Sequence, residues 1–207
     1  MIALIDYGAG NLVSVRKALA AAGAAVFTPA TPGDLATASG IVVPGVGHFG
    51  ATRALDGSWR AALGERLAQA TPLLGICLGL QWLFEASDEA PGLPGLGLLP
   101  GRCFLLGTMP RPDAPRVKVP HVGWNALARR APSRLLEGIA DGAQAYFTHS
   151  YAAPITGDCV AVTDHGGPFA SVVERGLVFG VQWHPEKSGE VGLALLRNFA
   201  GLAARTS

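Results

Sequence analysis

The stretch Leu73-Leu74-Gly75-Ile76-Cys77-Leu78-Gly79 joins a short apolar run to a cysteine flanked by glycines, and the helical pattern Leu80–Glu85 follows it. The apolar run predicts a strand buried on both faces, as in a parallel sheet. A sharp turn from strand to helix strains the backbone of its central residue, and small flanking glycines tolerate that strain. The spacing therefore favours Cys77 as a nucleophile that stands clear of the sheet. The alternative is the buried structural role of most free cysteines.

Strands and helices alternate around this stretch throughout the first half of the chain. The alternation predicts right-handed crossovers and an α/β fold, with a three-layer, open, mostly parallel sheet flanked by helices. The predicted strands are Ile2–Asp6, Ala25–Thr28, Ile41–Val43 and Leu73–Ile76, and the predicted helices are Leu12–Ala22 and Ser58–Ala70.

The second half of the chain has a different pattern. From Pro91 to Pro120 it is rich in glycine and proline, with short apolar pieces such as Arg102–Leu106. Short strands separated by turn residues then predict antiparallel additions to the sheet. They are Ala143–Thr148, Cys159–Asp164, Phe169–Val173 and Leu177–Trp183, and an amphipathic helix over Gly192–Ala204 closes the chain. No repeat, low-complexity tract or polar linker interrupts the sequence, so residues 1–207 are expected to form a single domain.

A candidate base for Cys77 lies just after another predicted strand, in Gln182-Trp183-His184-Pro185-Glu186. The carboxyl edge of an open α/β sheet is where binding sites form. Pro185 favours an extended backbone at His184, so Glu186 can accept the second imidazole N–H. Cys77, His184 and Glu186 thus make a nucleophile, base and orienting group, although His-Pro-Glu alone could be a solvated turn. The histidines without a carboxylate two residues away are weaker candidates: His48, His121, His149 and His165.

The composition limits the partners and the compartment. The 207 residues carry 16 basic and 15 acidic side chains and no basic cluster, which gives no electrostatic reason to bind nucleic acid or an anionic membrane. The apolar runs are too short to span a membrane. Cys77, Cys103 and Cys159 have no CxxC spacing and no histidine pair has helical zinc-site spacing, so neither a metal nor another cofactor is expected. Unpaired cysteines without a signal peptide fit the cytoplasm.

Several short motifs resemble the triad class of glutamine amidotransferases: Gly75–Gln81, Pro44–Gly47 and His184–Glu186. Longer blocks, in the same order along the chain, narrow the resemblance to the glutaminase subunits of imidazole glycerol phosphate synthase. These blocks are Asp6–Leu12, Pro44–Gly50, His121–Asn125, Phe147–Tyr151 and His184–Ser188. The resemblance implies the flavodoxin-like fold of class I glutamine amidotransferases.

The resemblance also implies a reaction. Cys77 would attack the side-chain amide of L-glutamine, ammonia would leave, and water would hydrolyse the glutamyl thioester to L-glutamate. His184 would carry the protons, and Glu186 would hold the imidazole tautomer.

By the same resemblance, backbone N–H groups would stabilise the oxyanion. One donor would be Leu78 and the other would come from the loop Gly45-Val46-Gly47, from Val46 or Gly47. Gln81 lies one helical turn beyond Cys77, where it could bind the α-amino or α-carboxylate group of glutamine. The further substrate contacts that the resemblance implies are Glu89 for the α-ammonium group and Tyr146 and Ser150 for the α-carboxylate.

The resemblance implies a partner, a (β/α)8-barrel cyclase that forms a heterodimer with the glutaminase. The cyclase would use the ammonia to make imidazole glycerol phosphate and AICAR in histidine biosynthesis. Ammonia released into neutral water is protonated and no longer a nucleophile, so its path must be enclosed. Asn11, Trp124 and Lys187 lie in blocks that resemble the interface, although Trp124 could equally be a core aromatic residue.

Three alternatives stay open at this point. The same glutaminase chemistry could serve the anthranilate, GMP or vitamin B6 pathway, although relatives there usually differ from this chain at the block that contains Val46. A thiol hydrolase of the α/β-hydrolase type also uses a G-x-Cys-x-G elbow, but its acid usually precedes its histidine. A non-catalytic regulatory module is disfavoured because all three triad residues are present.

Overall fold

The computed structural model describes residues 1–108 and 117–205, so part of the predicted glycine- and proline-rich segment, at 109–116, lies outside the described residues. The strands are β1 (Ile2–Leu4), β2 (Val26–Phe27), β3 (Gly40–Val43), β4 (Leu73–Ile76), β5 (Phe84–Ser87), β6 (Leu99–Leu105), β7 (His121–Ala126), β8 (Ala128–Arg129), β9 (Gln144–His149), β10 (Tyr151–Ala152), β11 (Cys159–Asp164), β12 (Pro168–Arg175) and β13 (Val178–Val181). The α-helices are α1 (Leu12–Ala21), α2 (Gly57–Ala68), α3 (Leu78–Leu83) and α4 (Gly189–Ala204), and 3₁₀ turns cover Pro32–Thr37, Phe49–Ala54 and Pro185–Lys187. Within these described ranges, no helix has both the length and the apolar character needed to cross a membrane.

The main sheet has eight strands in the order β2-β1-β3-β4-β13-β12-β11-β8. The first five run parallel, and β12, β11 and β8 add antiparallel pairs, so the predicted mostly parallel sheet with antiparallel additions is confirmed. Two predicted additions differ in detail. The strand predicted over Leu177–Trp183 (β13) pairs antiparallel with β12, as expected, but also parallel with β4. The strand predicted over Ala143–Thr148 (β9) pairs with β7 in a separate two-stranded sheet. Turn spacing predicts strands, but it does not specify their neighbours.

Helices cover both faces of the parallel strands. Side chains alternate across the sheet, so Leu4 of β1 packs into one apolar cluster while Ala3 and Ile5 pack into the other. Leu19 of α1 and Phe199 of α4, both fully buried, belong to the first cluster, and Leu63 of α2 belongs to the second. The predicted three layers are therefore present, and the strands are buried on both faces.

The connection from β4 to α3 is tighter than predicted. The helix spans Leu78–Leu83 rather than Leu80–Glu85, because it begins directly after Cys77 and gives way to β5 at Phe84. Gly79 lies so close to β3 that a Cβ atom there would overlap the backbone carbonyl of Val43. A glycine at this position is what allows α3 to lie against the sheet.

The hairpin of β7 and β9 carries a cluster of histidines. His121 and His149 lie opposite each other, with 3.1 Å between His121 Nδ1 and His149 Nε2, and the His165 ring stacks on His121 at a centroid distance of 4.1 Å. His149 Nδ1 lies 2.8 Å from the carbonyl oxygen of Tyr151. A carbonyl only accepts, so Nδ1 of His149 carries the proton and its Nε2 accepts from His121.

Burial keeps His121 and His149 neutral. It lowers the pKa of His149 to about 3, against an opposing contribution from the Tyr151 carbonyl, and the neighbouring His121, His184 and His165 lower it further. Burial, with the charge of His165, lowers the pKa of His121 to about 4. Both rings are therefore uncharged near neutral pH.

Replacing Gly79 with alanine should lower the free energy of unfolding by about 3 kcal/mol, because the added Cβ must displace α3 from the Val43 carbonyl. Urea denaturation measures this change. The matched control is Gly64→Ala on the exposed face of α2, where a Cβ meets nothing. This control should raise the free energy of unfolding by about 0.5 to 1 kcal/mol. A Gly79→Ala protein as stable as the wild type would contradict the tight packing.

The free energy of unfolding should fall as the pH drops from about 6.5 towards 4. In this window His121 and His149 take up protons in the unfolded chain, at their ordinary pKa of 6.5, but not in the folded chain. Urea unfolding at pH 7 and pH 5 measures the loss. It should be smaller in His149→Gln, which removes one of the two groups. Equal losses in the wild type and His149→Gln would contradict this account.

Candidate active site

Cys77 occupies the predicted elbow between β4 and α3. Its φ is +53°, a backbone conformation that residues other than glycine rarely adopt. Its N–H donates to the carbonyl of Val181 at 2.7 Å. The side chain is 5% exposed and lines a cavity. The strain and the strand-to-helix position are those predicted for a nucleophile held clear of the sheet.

His184 and Glu186 meet at the same edge of the sheet. His184 Nδ1 lies 2.8 Å from Glu186 Oε1, and the two side chains are 1% and 2% exposed. Glu186 reaches the ring from the 3₁₀ turn Pro185–Lys187 rather than from the extended segment predicted, while His184 itself is extended as expected. Because the carboxylate accepts, Nδ1 carries the proton and Nε2 is left as the basic nitrogen of the neutral ring.

His184 is electrostatically coupled to both of its neighbours. Burial lowers its pKa, but an ionised Cys77 and the contacts with Glu186 outweigh burial and raise the pKa, so the ring is suited to take up the proton that Cys77 loses. Nε2 is buried and has no hydrogen-bond partner among the described residues. Cys77 nevertheless lies close enough to interact with His184, and catalytic contacts of this kind often tighten only when substrate binds.

A cavity of about 300 Å³ opens beside Cys77. It is lined by six residues that were predicted to belong to the site and by four that were not, although one of these four, His149, was named as a weaker candidate base. The predicted residues are Gly47, Cys77, Leu78, Gln81, Glu89 and Ser150, and the others are Pro120, Thr148, His149 and Tyr151. The elbow, the Pro44–Gly50 loop and the end of β9 therefore surround one space, large enough for a small amino acid.

The polar residues of this cavity already make contacts within the protein. Glu89 Oε2 accepts the N–H of Phe49 at 2.7 Å, which joins the Glu89 loop to the Pro44–Gly50 loop. Gln81 Nε2 donates to the carbonyl of Tyr151 at 2.7 Å, so contact with a ligand falls to the other amide atom of Gln81. The predicted substrate roles of Glu89, Gln81 and Ser150 remain predictions.

Tyr146 lies outside the cavity lining, unlike the other residues predicted to contact the substrate. Its ring packs edge-on against Trp124 at 6.0 Å between centroids, and the Lys187 ammonium lies 5.7 Å from the ring centroid. Trp124 is 57% exposed, so it is not a core aromatic residue. The structure thus groups Tyr146 with two residues predicted for the partner interface. The third, Asn11, accepts the Ser14 N–H with its side chain and caps α1.

Two of the three backbone donors predicted for the oxyanion, those of Leu78 and Val46, are occupied in this conformation. The Leu78 N–H donates to the Gly45 carbonyl and the Val46 N–H donates to the Ala9 carbonyl, both at 3.4 Å. Gly47, with φ +94°, borders the cavity. An oxyanion hole would therefore require the peptide between Gly45 and Val46 to turn, and the predicted roles of Leu78, Val46 and Gly47 remain predictions.

Two buried polar side chains near Cys77 were missed by the sequence analysis. The amide Nε2 of Gln182 lies 3.7 Å from Cys77 Sγ. The Tyr7 hydroxyl lies against Gly45 and has no hydrogen-bond partner among the described residues, and burial together with the charge of Cys77 raises its pKa. Position alone could have suggested both residues, because each closely follows a strand of the parallel sheet at its carboxyl edge.

The other two cysteines have the structural role predicted for them. Cys103 and Cys159 are buried, and burial raises the pKa of each thiol. The described part of the chain contains no group of three or more histidine, cysteine or acidic side chains arranged to hold a metal ion.

Comparison with known proteins gives one consistent family. Residues 3–201 match the model of the glutamine amidotransferase class-I family. The chain is 46% identical to "Imidazole glycerol phosphate synthase subunit HisH" of Deinococcus radiodurans, over 96% of this chain and 92% of that protein. It is also 46% identical to the protein of the same name from Thermococcus kodakarensis, over 98% of this chain and 100% of that protein.

The fold matches at lower sequence identity. A solved structure described as "Crystal structure of glutamine amidotransferase" superposes with a TM-score of 0.74 at 19% identity, covering 99% of this chain and 100% of that one. The class I glutamine amidotransferase fold implied by the sequence motifs is thereby confirmed. The chain belongs to the glutamine amidotransferase class-I family and, within it, to the imidazole glycerol phosphate synthase subunit HisH proteins.

Proposed function

We propose that this chain is the glutaminase subunit of imidazole glycerol phosphate synthase, with Cys77, His184 and Glu186 as its catalytic residues. It hydrolyses L-glutamine to L-glutamate and ammonia and passes the ammonia to a cyclase in histidine biosynthesis. One observation carries the proposal: a strained cysteine lining a cavity stands beside a buried histidine–carboxylate pair at one sheet edge. These groups supply the nucleophile, base and orienting carboxylate that amide cleavage needs.

In the first half-reaction, Cys77 Sγ attacks the amide carbon of the glutamine side chain while His184 Nε2 takes the thiol proton. The tetrahedral intermediate breaks its C–N bond, and His184 returns the proton to the leaving nitrogen, which departs as ammonia. The product on the enzyme is a glutamyl thioester. Glu186 holds Nδ1–H at 2.8 Å throughout, which keeps Nε2 available for both proton transfers.

In the second half-reaction, water attacks the thioester carbonyl and gives a proton to His184. The C–S bond then breaks, glutamate leaves, and the proton returns to Cys77. Each half-reaction develops negative charge on the carbonyl oxygen, which two N–H donors must stabilise.

We assign those donors to Leu78 and to Val46 or Gly47, after a turn of the loop. Turning the Gly45–Val46 peptide would withdraw the Gly45 carbonyl from Leu78 and direct the Val46 N–H towards the cavity. The two hydrogen bonds that hold the present conformation are 3.4 Å long, beyond the usual range, so little is lost when they break. Gly45 has no room for a Cβ against Leu78 and Tyr7, so a glycine is required there.

We assign substrate binding to the far side of the cavity from the nucleophile. Glu89 borders it with a carboxylate suited to the α-ammonium group of glutamine. Ser150 and Gln81 also border it and could bind the α-carboxylate and α-amino groups. The matching charges would orient the side-chain amide towards Cys77.

We propose that the partner, a (β/α)8-barrel cyclase in a heterodimer, covers the face that carries Trp124. Trp124 and Val122 of β7 are 57% and 58% exposed, and Val46 of the Pro44–Gly50 loop is 36% exposed. Such apolar exposure around a cation, here Lys187, is typical of a protein–protein interface. We assign Asn11 and the exposed Val46 loop to the same interface.

The proposal extends to the domain and the compartment. The family model covers residues 3–201, which supports one glutamine amidotransferase domain over 1–207. Cys77, Cys103 and Cys159 are all unpaired, as expected of a protein in the reducing cytoplasm.

Cys77→Ala should abolish glutamate release, and Glu186→Gln should lower kcat by about a hundredfold or more, because the imidazole loses its orienting carboxylate. Glutamate release measured in the presence of the cyclase gives both values. Glu190→Gln, a change at an exposed acid four residues beyond Glu186, is the matched control and should turn over normally. Normal turnover in Cys77→Ala, with its melting temperature preserved, would exclude the mechanism.

The isolated chain should hydrolyse glutamine slowly, because its oxyanion donors are engaged. Adding the cyclase loaded with its nucleotide ligand should accelerate glutamate release by about ten- to a hundredfold. The control is the same mixture without the nucleotide. A pull-down against the cyclase and against other ammonia-accepting synthases separates the proposed partner from the anthranilate, GMP and vitamin B6 alternatives. Full glutaminase activity without any partner would refute the coupling.

A further inference from the structure

We propose that Gln182 stabilises the ionised form of the Cys77 sulfur by donating a hydrogen bond to it, and that Gln81 holds the Gln182 amide in the donating orientation. The inference rests on the proposed function, since it assigns Cys77 as the nucleophile. It adds two positioning residues behind the triad, neither of which exchanges a proton with the substrate.

The parallel pairing of β13 with β4 places Gln182 beside Cys77. Val181 lies opposite Ile76 in register, and Gln182 and Cys77 are the next residues on the two chains. Gln182 is fully buried, and its backbone N–H donates to the Ser171 carbonyl at 3.0 Å. The backbone of Gln182 is therefore held in place, and its buried side chain has no contact with solvent.

The hydrogen bonds around Gln182 determine which end of its amide faces the sulfur. The Tyr151 carbonyl can only accept, so the amide of Gln81 must direct Nε2 towards it, at 2.7 Å. The same Nε2 lies 3.2 Å from Gln182 Oε1 and donates to it. Gln182 Nε2 is then the end that faces Cys77 Sγ, at 3.7 Å, a normal N–H···S separation.

The far end of this chain of hydrogen bonds is anchored as well. The carbonyl of Tyr151 also accepts from His149 Nδ1 at 2.8 Å. Two donors on one oxygen fix its position, so the Gln81 amide cannot reverse without losing a buried contact.

An amide N–H beside a buried sulfur favours the thiolate over the thiol. The thiolate is the stronger acceptor, and a site with little water makes the difference larger than it would be in solvent. In the proposed mechanism His184 takes the proton from Cys77, while Gln182 stabilises the thiolate that is left. Since Gln81 also borders the cavity, a ligand that contacts Gln81 would touch the residue that orients Gln182.

The test is the pH dependence of Cys77 alkylation by iodoacetamide, followed by mass spectrometry of the Cys77 peptide in the full-length chain. Gln182→Met keeps the volume of the side chain and removes the donor. It should alkylate about tenfold more slowly at pH 7, with its midpoint about one pH unit higher. In the presence of the cyclase, kcat for glutamine should fall by a similar factor while KM changes little.

Ser171→Ala is the matched control, since it removes another fully buried polar group next to Gln182 whose hydroxyl has no hydrogen-bond partner among the described residues. It should alkylate like the wild type. Gln81→Met is the second variant and covers the case in which Gln182→Met does not fold. It leaves the donor in place but frees its orientation, so the alkylation midpoint should move in the same direction by a smaller amount.

Wild-type alkylation profiles in folded Gln182→Met, or in Gln81→Met if the first variant does not fold, would overturn the inference. Alkylation does not depend on glutamine turnover. If the wild type proved inactive towards glutamine, the proposed function would fail while the alkylation profiles still decided the role of Gln182.

Discussion

The parallel pairing of β13 with β4 is the constraint on which the site depends. It sets Val181 opposite Ile76 and lets the Val181 carbonyl hold the Cys77 N–H at 2.7 Å. Because the two strands run in the same direction, the segments that follow them leave the sheet at one edge, which brings His184 to the cysteine. A slip of one residue would turn the side chain of Gln182 to the opposite face, away from the sulfur.

The parallel strands and the grouping of the proposed triad residues could be predicted because their signals are local. A continuous apolar run such as Leu73–Ile76 must be buried on both faces, whatever its neighbours are. The elbow around Cys77 needs small residues at fixed spacing, since Gly79 has no room for a Cβ against the next strand. His184 and Glu186 are two residues apart, so their contact hardly depends on the rest of the fold.

Contacts between distant residues could not be predicted in this way. Gln81 and Gln182 are separated by 101 positions, and only the completed sheet brings their amides together. Tyr146 alternates along β9 like any strand residue, and the pairing of β9 with β7 decides that its ring meets Trp124 rather than the cavity. The direction of the Gly45 carbonyl depends on the rotation of the Gly45–Val46 peptide. Because glycine adopts many backbone conformations, the residue types alone do not determine that rotation.

The hydrogen bond from Leu78 to the Gly45 carbonyl would limit how much glutamine a cell hydrolyses without using the ammonia. If Leu78 is an oxyanion donor as proposed, this hydrogen bond makes its N–H unavailable to the amide oxygen of glutamine. Glutamine could then enter the cavity and leave again intact. Under the proposed function, a cell that makes more of this chain than of its synthase would lose little glutamine to unused ammonia.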